Sequence, residues 1–166
     1  TLSALTTGSS NVAIGNKAMM SGPVSGDDNI MIGELAGNNI IGGSENVGIG
    51  TKALFTENND GKNVAVGYNS LMTLRAGADA YNVAVGYYTG RLITTGVANT
   101  IIGSFAGDAL TTGINNVAVG YQALSAEDAH GNNVAVGYQA LQVLNAGNSG
   151  NNVAVGREAG KVVSTG

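Results

Sequence analysis

One short phrase recurs along the chain and dictates its fold. Asn133-Val134-Ala135-Val136-Gly137 is the clearest copy, and aligning on its Asn and Gly gives nine copies in phase. The copies start at Asn11, Asn29, Asn46, Asn63, Asn82, Asn99, Asn116, Asn133 and Asn152. Successive intervals are 18, 17, 17, 19, 17, 17, 17 and 19 residues. Such regular spacing indicates one structural coil per repeat, with loops that absorb the extra residues. We therefore predict an all-β fold, a parallel β-solenoid of about nine coils of 17 to 19 residues.

Composition permits a packed core and removes several classes of partner. Apolar residues make up 43% of the chain, and Val or Ile occurs in every coil, which argues against disorder. The net charge is -4, with no run of basic residues, so the electrostatic signature of a nucleic-acid binder is missing. No apolar run approaches the ~20 residues that span a bilayer, and we predict no membrane insertion. The chain has no cysteine, which excludes disulfides and thiolate metal sites.

The repeats predict a single domain over residues 1–166. Residues 4–8 match residues 109–113, the second half of a coil, and the chain stops just before another Asn would be due. Solenoid ends normally carry polar caps, and neither end shows one. We interpret the chain as a segment of a longer protein.

The first half of each coil has the alternation of a strand. Branched residues follow the Asn directly and again two positions later, so both lie on one face of the strand. We predict that this face is the coil interior. Stacking would form one ladder from Val117, Val134 and Val153, and a second from Val119, Val136 and Val155.

The residue between the two branched positions is small and apolar in most coils. An outward face in contact with water should instead carry Thr, Lys or Glu, so the strand is predicted to be buried on both sides. We expect copies of the chain to pack there as a homo-oligomer. This predicted oligomer face comprises Ala65, Ala84, Ala118, Ala135 and Ala154.

The Asn and Gly of the phrase occur in all nine copies. A position that never carries a Cβ needs positive φ or lies against another backbone, so Gly120, Gly137 and Gly156 are predicted corners. Asn tolerates left-handed backbone, and its amide can bond to copies above and below. We predict an internal ladder that includes Asn116, Asn133 and Asn152, and favour it over a ligand-binding role.

The second half of the coil fills its core position in two ways. Four residues after the Gly there is either a large apolar residue, as at Leu124, or a second Gly, as at Gly107. In the second case an apolar residue such as Leu110 follows three positions later. Variable loops then hold much of the charge, and loops of repeat proteins lie on one edge.

The repeats resemble those of known fibres. Asn-Val-Ala-Ile-Gly-x-x-Ala at residues 11–18 is similar to the head repeats of YadA-like trimeric autotransporter adhesins. The longer form at residues 115–124 and 132–141 is similar to repeats of bacteriophage tail-fibre proteins. The resemblance covers nearly the whole chain. It implies a homotrimer of left-handed β-rolls in an extracellular appendage, on a virion or a bacterial surface, that serves in attachment. The coils here are longer than the adhesin repeat.

No set of residues converges as catalysis requires, so we predict no enzyme, no cofactor and no metal. The single His, His130, lies in a loop and is expected at the surface. Asp27-Asp28 and the 57–61 segment are rich in oxygen ligands, but they lack the alternation and the distal Glu of an EF-hand. We favour solvated turns at both places over calcium-binding loops.

Four tyrosines share the position after the Gly: Tyr68, Tyr87, Tyr121 and Tyr138. Tyr offers apolar area with a polar tip, so a stacking ladder or a subunit contact is the favoured interpretation. The alternative is an aromatic track on the surface that contacts a glycan. Ser104 and Arg157 occupy the same position in two coils and would interrupt such a track.

The favoured function is a structural or adhesive segment of a trimeric fibre, with a cell-surface glycan or protein as a further partner. A self-assembling extracellular filament is the first alternative. An acyltransferase β-helix needs an aliphatic residue every six positions, and stepping six from Val119 gives Ser125 and Gly131. An ice-binding solenoid needs a regular Thr face, and pairs such as Thr94-Thr95 and Thr111-Thr112 occur in too few coils.

Overall fold

A computed structural model describes residues 7–20, 22–126, 129–144 and 150–163. The described residues form no helix, and therefore none that is long and apolar enough to cross a membrane. Most of residues 4–8 and of the last residues, which carry the interpretation of the two ends, lie outside these ranges.

In the described part of the chain, nine short parallel strands stack into one sheet, and each strand is contributed by one copy of the phrase. The strands are β1 (Val12–Ile14), β2 (Ile30–Ile32), β3 (Val47–Ile49), β4 (Val64–Val66), β5 (Val83–Val85), β6 (Thr100–Ile102), β7 (Val117–Val119), β8 (Val134–Val136) and β10 (Val153–Val155). A second sheet pairs β9 (Val143–Leu144) with β11 (Val162–Val163). The chain is thus a β-solenoid of about eight turns between the first and last strands of the nine-stranded sheet.

The strand register follows the sequence repeat without slippage. Val117 pairs with Val134, and Val134 pairs with Val153, while Val119 and Val136 continue the second column. The three longer intervals, of 18, 19 and 19 residues, do not shift it, because the extra residues are absorbed outside the strands. The predicted ladders therefore exist as columns of paired residues.

The side chains of these strands face the opposite way from the prediction. The middle residue is buried: Ala65, Ala84, Ala118 and Ala135 are 0% exposed, and Ala154 is 8% exposed. The branched residues on either side face outward, with Ile102 at 41% and both valines of strands such as Val117–Val119 half-buried. The Ala face is thus the coil interior and is not available to a partner, and the Val and Ile face is the outer surface.

The narrow interior explains this orientation. In most coils the interior holds large side chains from the second half, such as Leu124, opposite a small middle residue. Where the middle residue is large, as at Ile101, the second half has Gly107, and a Cβ there would lie 3.0 Å from Ile101 Cδ1. The interior is closely packed, and in most coils the strand supplies its small middle residue to it while the branched pair faces outward.

Two arrangements of the second half occur, as the sequence predicts. Large apolar residues at the fourth position after the Gly are buried in five coils: Met19, Leu54, Leu71, Leu124 and Leu141. In coils with a second Gly, the buried residue follows three positions later, as at Ile40, Ile93 and Leu110. Both arrangements place this fourth residue in left-handed backbone, with φ of 53° at Leu124 and at Gly107.

Candidate functional site

The outer face of the long sheet is an aliphatic strip. We use this name for the two outward columns of β1 to β8 and β10, which are Val or Ile at every position except Thr100. Ile14, Ile30, Ile49 and Ile102 are each more than a third exposed. Water-facing strands normally alternate apolar and polar side chains, and this strip carries one hydroxyl and no charge.

The strip is one continuous apolar surface. Its strands lie about 4.8 Å apart, so nine of them extend over roughly 40 Å. The side chains along it are half-buried or exposed and form one contiguous patch, and contiguous apolar patches often mark an interaction surface. The strip is therefore the candidate functional surface, in place of the buried Ala ladder.

An aromatic row begins two residues beyond the strip, after the Gly corner. Tyr68 and Tyr87 stack with ring centroids 5.3 Å apart, and Tyr121 and Tyr138 stack at 5.6 Å. All four are 40% to 47% exposed. Ser104 does not interrupt the row, because the ring of the next residue, Phe105, continues it. The Phe105 ring centroid lies 5.7 Å from that of Tyr88 and 6.0 Å from that of Tyr121.

Tyr88 and Phe105 belong to this row and were not singled out by sequence reasoning. They occupy the second position after the Gly, where three coils carry Asn or Gln instead. Arg157 also continues the row, since its guanidinium lies 5.6 Å from the Tyr138 ring centroid. The sequence signal that could have identified these residues was the pair of adjacent aromatic residues Tyr87-Tyr88.

The stacking leaves little ring face for a sugar. The Tyr68 and Tyr87 planes are 16° apart, and the Tyr121 and Tyr138 planes are 12° apart, so these rings cover each other's faces. Carbohydrate stacking uses an open ring face, and in each stacked pair one face of each ring is covered by its partner. The glycan track stays a prediction that this geometry does not favour.

The Asn ladder runs inside the solenoid. Asn116 Oδ1 accepts hydrogen bonds from the backbone N–H of Asn133 at 3.0 Å and from its Nδ2 at 3.1 Å. Asn116 Nδ2 donates to the His130 carbonyl at 3.0 Å. Asn133 Oδ1 accepts in the same way from Asn152. Each amide thus bonds to the next coil and to its own loop, which makes the ladder structural.

The Gly corners lie against the backbone of the following coil. Gly120 and Gly137 have φ of 134° and 139°. A Cβ at either one would overlap the carbonyl oxygen of the corner Gly one coil further on. Both causes offered for the invariant Gly, positive φ and close backbone approach, therefore act together here.

The 57–61 turn is not the solvated turn that the sequence favoured. Glu57 is 0% exposed and Asp60 is 1% exposed. Burial raises the pKa of Glu57 to about 10. A side-chain hydrogen bond with Asp60 and the charge of that carboxylate contribute to the increase. At the other acidic pair, Asp27 is half-buried and Asp28 is exposed, and hydrogen bonds from Ser9 lower the pKa of Asp27.

Within the described ranges, no three His, Cys, Asp or Glu residues lie where they could share a metal ion. His130 is half-buried, and its carbonyl belongs to the Asn ladder. No family model, no curated protein and no solved structure matches this chain.

Proposed function

We propose that the chain is a structural and adhesive segment of a trimeric fibre, of tail-fibre or surface-adhesin type, that serves in attachment to a host cell or surface. The observation that carries the proposal is the aliphatic strip, a long apolar face on the outside of an otherwise closed solenoid. Three copies of a narrow, elongated strip can meet along a common axis. The product is a rod whose core is shared between chains.

Energetics support association through the strip. Burying apolar surface contributes about 25 cal/mol per Å², and in a trimer this gain would oppose the cost of association, about 4–15 kcal/mol. Stable interfaces bury about 800 Å² per partner, and the aromatic row beside the strip would add to the area of such an interface. The trimeric state and the left-handed coil are taken from the resemblance to fibre repeats, and both are part of the proposal.

The solenoid also suits a load-bearing spacer. The described part of the chain forms one stack in which each coil bonds to the next through strand pairing, the Asn ladder and loop backbone. Such a stack is quasi-one-dimensional, and it resists bending because neighbouring coils are bonded around their whole circumference. An extracellular position for attachment follows from this function and stays a proposal with it.

The first test is the absolute mass in solution, by light scattering coupled to size exclusion. We expect three times 16.5 kDa for the wild-type chain. Ile102→Glu places a charge in the strip and should yield monomer. Thr112→Glu is the matched control, because Thr112 is exposed in the same coil but lies outside the strip, and it should stay trimeric.

A monomeric wild-type chain would contradict the proposal. Equal masses for the two Glu variants would show that the strip is not the interface. The filament alternative predicts a mass that grows with concentration and rods longer than roughly 40 Å in electron micrographs. Attachment is tested once a trimer is established, by binding of the labelled trimer and of the Ile102→Glu monomer to candidate host cells.

A further inference from the structure

The aromatic row ends in a pair of tyrosines that stack on each other. The ring centroids of Tyr121 and Tyr138 are 5.6 Å apart, and the ring planes are 12° apart. Beyond Tyr121 the next ring is that of Phe105, at 6.0 Å, and beyond Tyr138 lies the Arg157 guanidinium, at 5.6 Å. Neither neighbour carries a phenol. A reaction that needs two adjacent phenols is therefore confined to this pair at this end of the row.

The backbone keeps the two rings in register. The N–H of Gln139 donates to the Tyr121 carbonyl at 2.9 Å, and the N–H of Gly137 donates to the Val119 carbonyl at 2.7 Å. These bonds lie on both sides of the Tyr138 position, so the rings stay together while the coils are stacked. Reacting groups that are held in this way behave as parts of one molecule and react at a very high effective concentration.

Both rings are also accessible from solution. Tyr121 is 43% exposed and Tyr138 is 44% exposed. Exposed side chains change rotamer within picoseconds to nanoseconds, so the rings can turn from face-to-face toward edge-to-edge contact while the backbone stays fixed. The exposed surface also lets water accept a phenolic proton and lets an oxidant in solution take an electron from the ring.

We propose that Tyr121 and Tyr138 are a site of oxidative coupling, where an oxidant of the haem-peroxidase class joins the two rings as dityrosine. Each phenol gives one electron to the oxidant and its O–H proton to water. The two radicals form one C–C bond between ortho carbons. The two ring hydrogens at those carbons shift as protons to the phenolic oxygens, which restores both O–H groups. One hydrogen peroxide takes up the two electrons and two protons and becomes two waters.

The new bond joins neighbouring coils covalently. Tyr121 and Tyr138 are 17 residues apart, one repeat interval, so the bond closes one coil into a ring. A cross-link of this kind stabilises a protein mainly by restricting its unfolded chain. Both rings belong to one chain, and the inference therefore does not depend on the proposed trimer.

Tyr81 separates the effect of pairing from that of exposure. It is the more exposed residue, at 56%. However, its ring lies against the Lys62 ammonium, 5.4 Å from the centroid, and its hydroxyl faces Asp79. No second phenol is held beside it in the described part of the chain. If stacking directs the coupling, Tyr81 should stay unlinked although an oxidant reaches it more easily.

The test is mass spectrometry of the full wild-type chain after treatment with horseradish peroxidase and hydrogen peroxide, under conditions that couple free tyrosine. Material that migrates as a single chain in denaturing gels is digested with trypsin and a glutamate-specific protease. Residues 92–127 and 128–157 are then separate peptides with one tyrosine each. We expect these two peptides joined, with the loss of two hydrogens, at least about tenfold more often than any link that contains Tyr81.

Two variants locate the bond. Tyr138→Phe keeps the ring stack and removes one phenol, so the joined peptides should disappear. Tyr81→Phe is the matched control, because it removes an exposed phenol outside the row, and it should give as much joined peptide as wild type. Oxidation should also raise the Tm of the wild-type chain more than that of Tyr138→Phe.

Three results would overturn the proposal. The first is a treated wild-type chain without the joined peptides. The second is joining of the same peptides in Tyr138→Phe, or links of Tyr81 as abundant as the expected one, since either would show that stacking does not direct the reaction. The third is an equal or smaller gain in Tm for wild type than for Tyr138→Phe, which would mean that the bond does not stabilise the stacked coils.

Discussion

Individual residues of this solenoid hold backbone conformations that most side chains avoid. Within the described ranges, 23 non-glycine residues have positive φ, including Leu124 and Gln122 at 53°. Left-handed backbone costs roughly 1–2 kcal/mol for a residue with a Cβ, and only dense hydrogen bonding can maintain it so often. The Asn ladder provides part of that bonding.

The ladder is tested best at Asn116, whose amide makes three hydrogen bonds. Asn116→Ala leaves the Asn133 N–H, the Asn133 amide and the His130 carbonyl without these partners. Each buried group left unpaired costs about 1–3 kcal/mol, so we expect a loss of at least ~3 kcal/mol in the free energy of unfolding. Urea denaturation followed by far-UV circular dichroism measures it.

Asn16→Ala is the control for this substitution. Asn16 is exposed, and its one side-chain bond, to Glu34, is 3.3 Å long. Surface substitutions of this kind change stability by about 0.5 kcal/mol or less. Similar losses in the two variants would mean that the internal ladder contributes no more than a surface contact.

At the level of the strand and its corner, the sequence predicted much of the coil, but it did not predict which face of the strand points into the coil interior. The repeat interval gives the parallel register, and the Gly that never varies gives the corner, because both depend on backbone geometry alone. A three-residue strand such as Val117-Ala118-Val119 has two possible orientations, and alternation cannot choose between them. The choice depends on the interior volume left by Leu124 or its equivalent, which is a property of the closed coil.

The same limit applies to the acidic turn. Glu57 and Asp60 have the composition of a solvated loop, and only the stacking of neighbouring coils buries them. Gly43, one coil earlier, makes room for the carboxyl, and no local pattern connects these positions. The aromatic row was predictable in part, since Tyr positions repeat, but its continuity through Phe105 depends on ring geometry.

The corner offers a comparison that separates backbone strain from steric overlap. Gly103 and Gly156 have nearly equal φ, 126° and 127°. A Cβ at Gly103 would be 2.6 Å from the carbonyl oxygen of Gly120, whereas at Gly156 the nearest atom is 3.9 Å away. Gly156→Ala should therefore cost only the conformational strain, about 1–3 kcal/mol.

Gly103→Ala carries the same strain and must also push two coils apart. We expect a clearly larger loss of stability than for Gly156→Ala, or failure to fold, measured by urea denaturation of both variants side by side. Equal losses would show that the corner requires glycine for its φ alone and that the coils can separate without cost.

For the whole molecule, the arrangement of contacts predicts slow unfolding. Each coil pairs with residues 17 to 19 positions away, and in the proposed trimer the three strips are closed against one another. Unfolding must open the strip interface and the stacked coils together. The activation barrier to unfolding is therefore high even where the free energy of unfolding is modest. The wild-type trimer should resist mild denaturant for hours.

Ile102→Thr tests whether the strip provides that barrier. The change removes apolar contact but adds no charge, at a cost of about 1–2 kcal/mol in each chain, and the trimer carries it three times. Interactions formed late in folding act mainly on the unfolding rate, so unfolding in urea should accelerate at least tenfold. Thr112→Ser, in the same coil but outside the strip, should leave the rate unchanged. A wild-type trimer that unfolds within minutes, or equal rates for the two variants, would show that the strip does not provide kinetic stability.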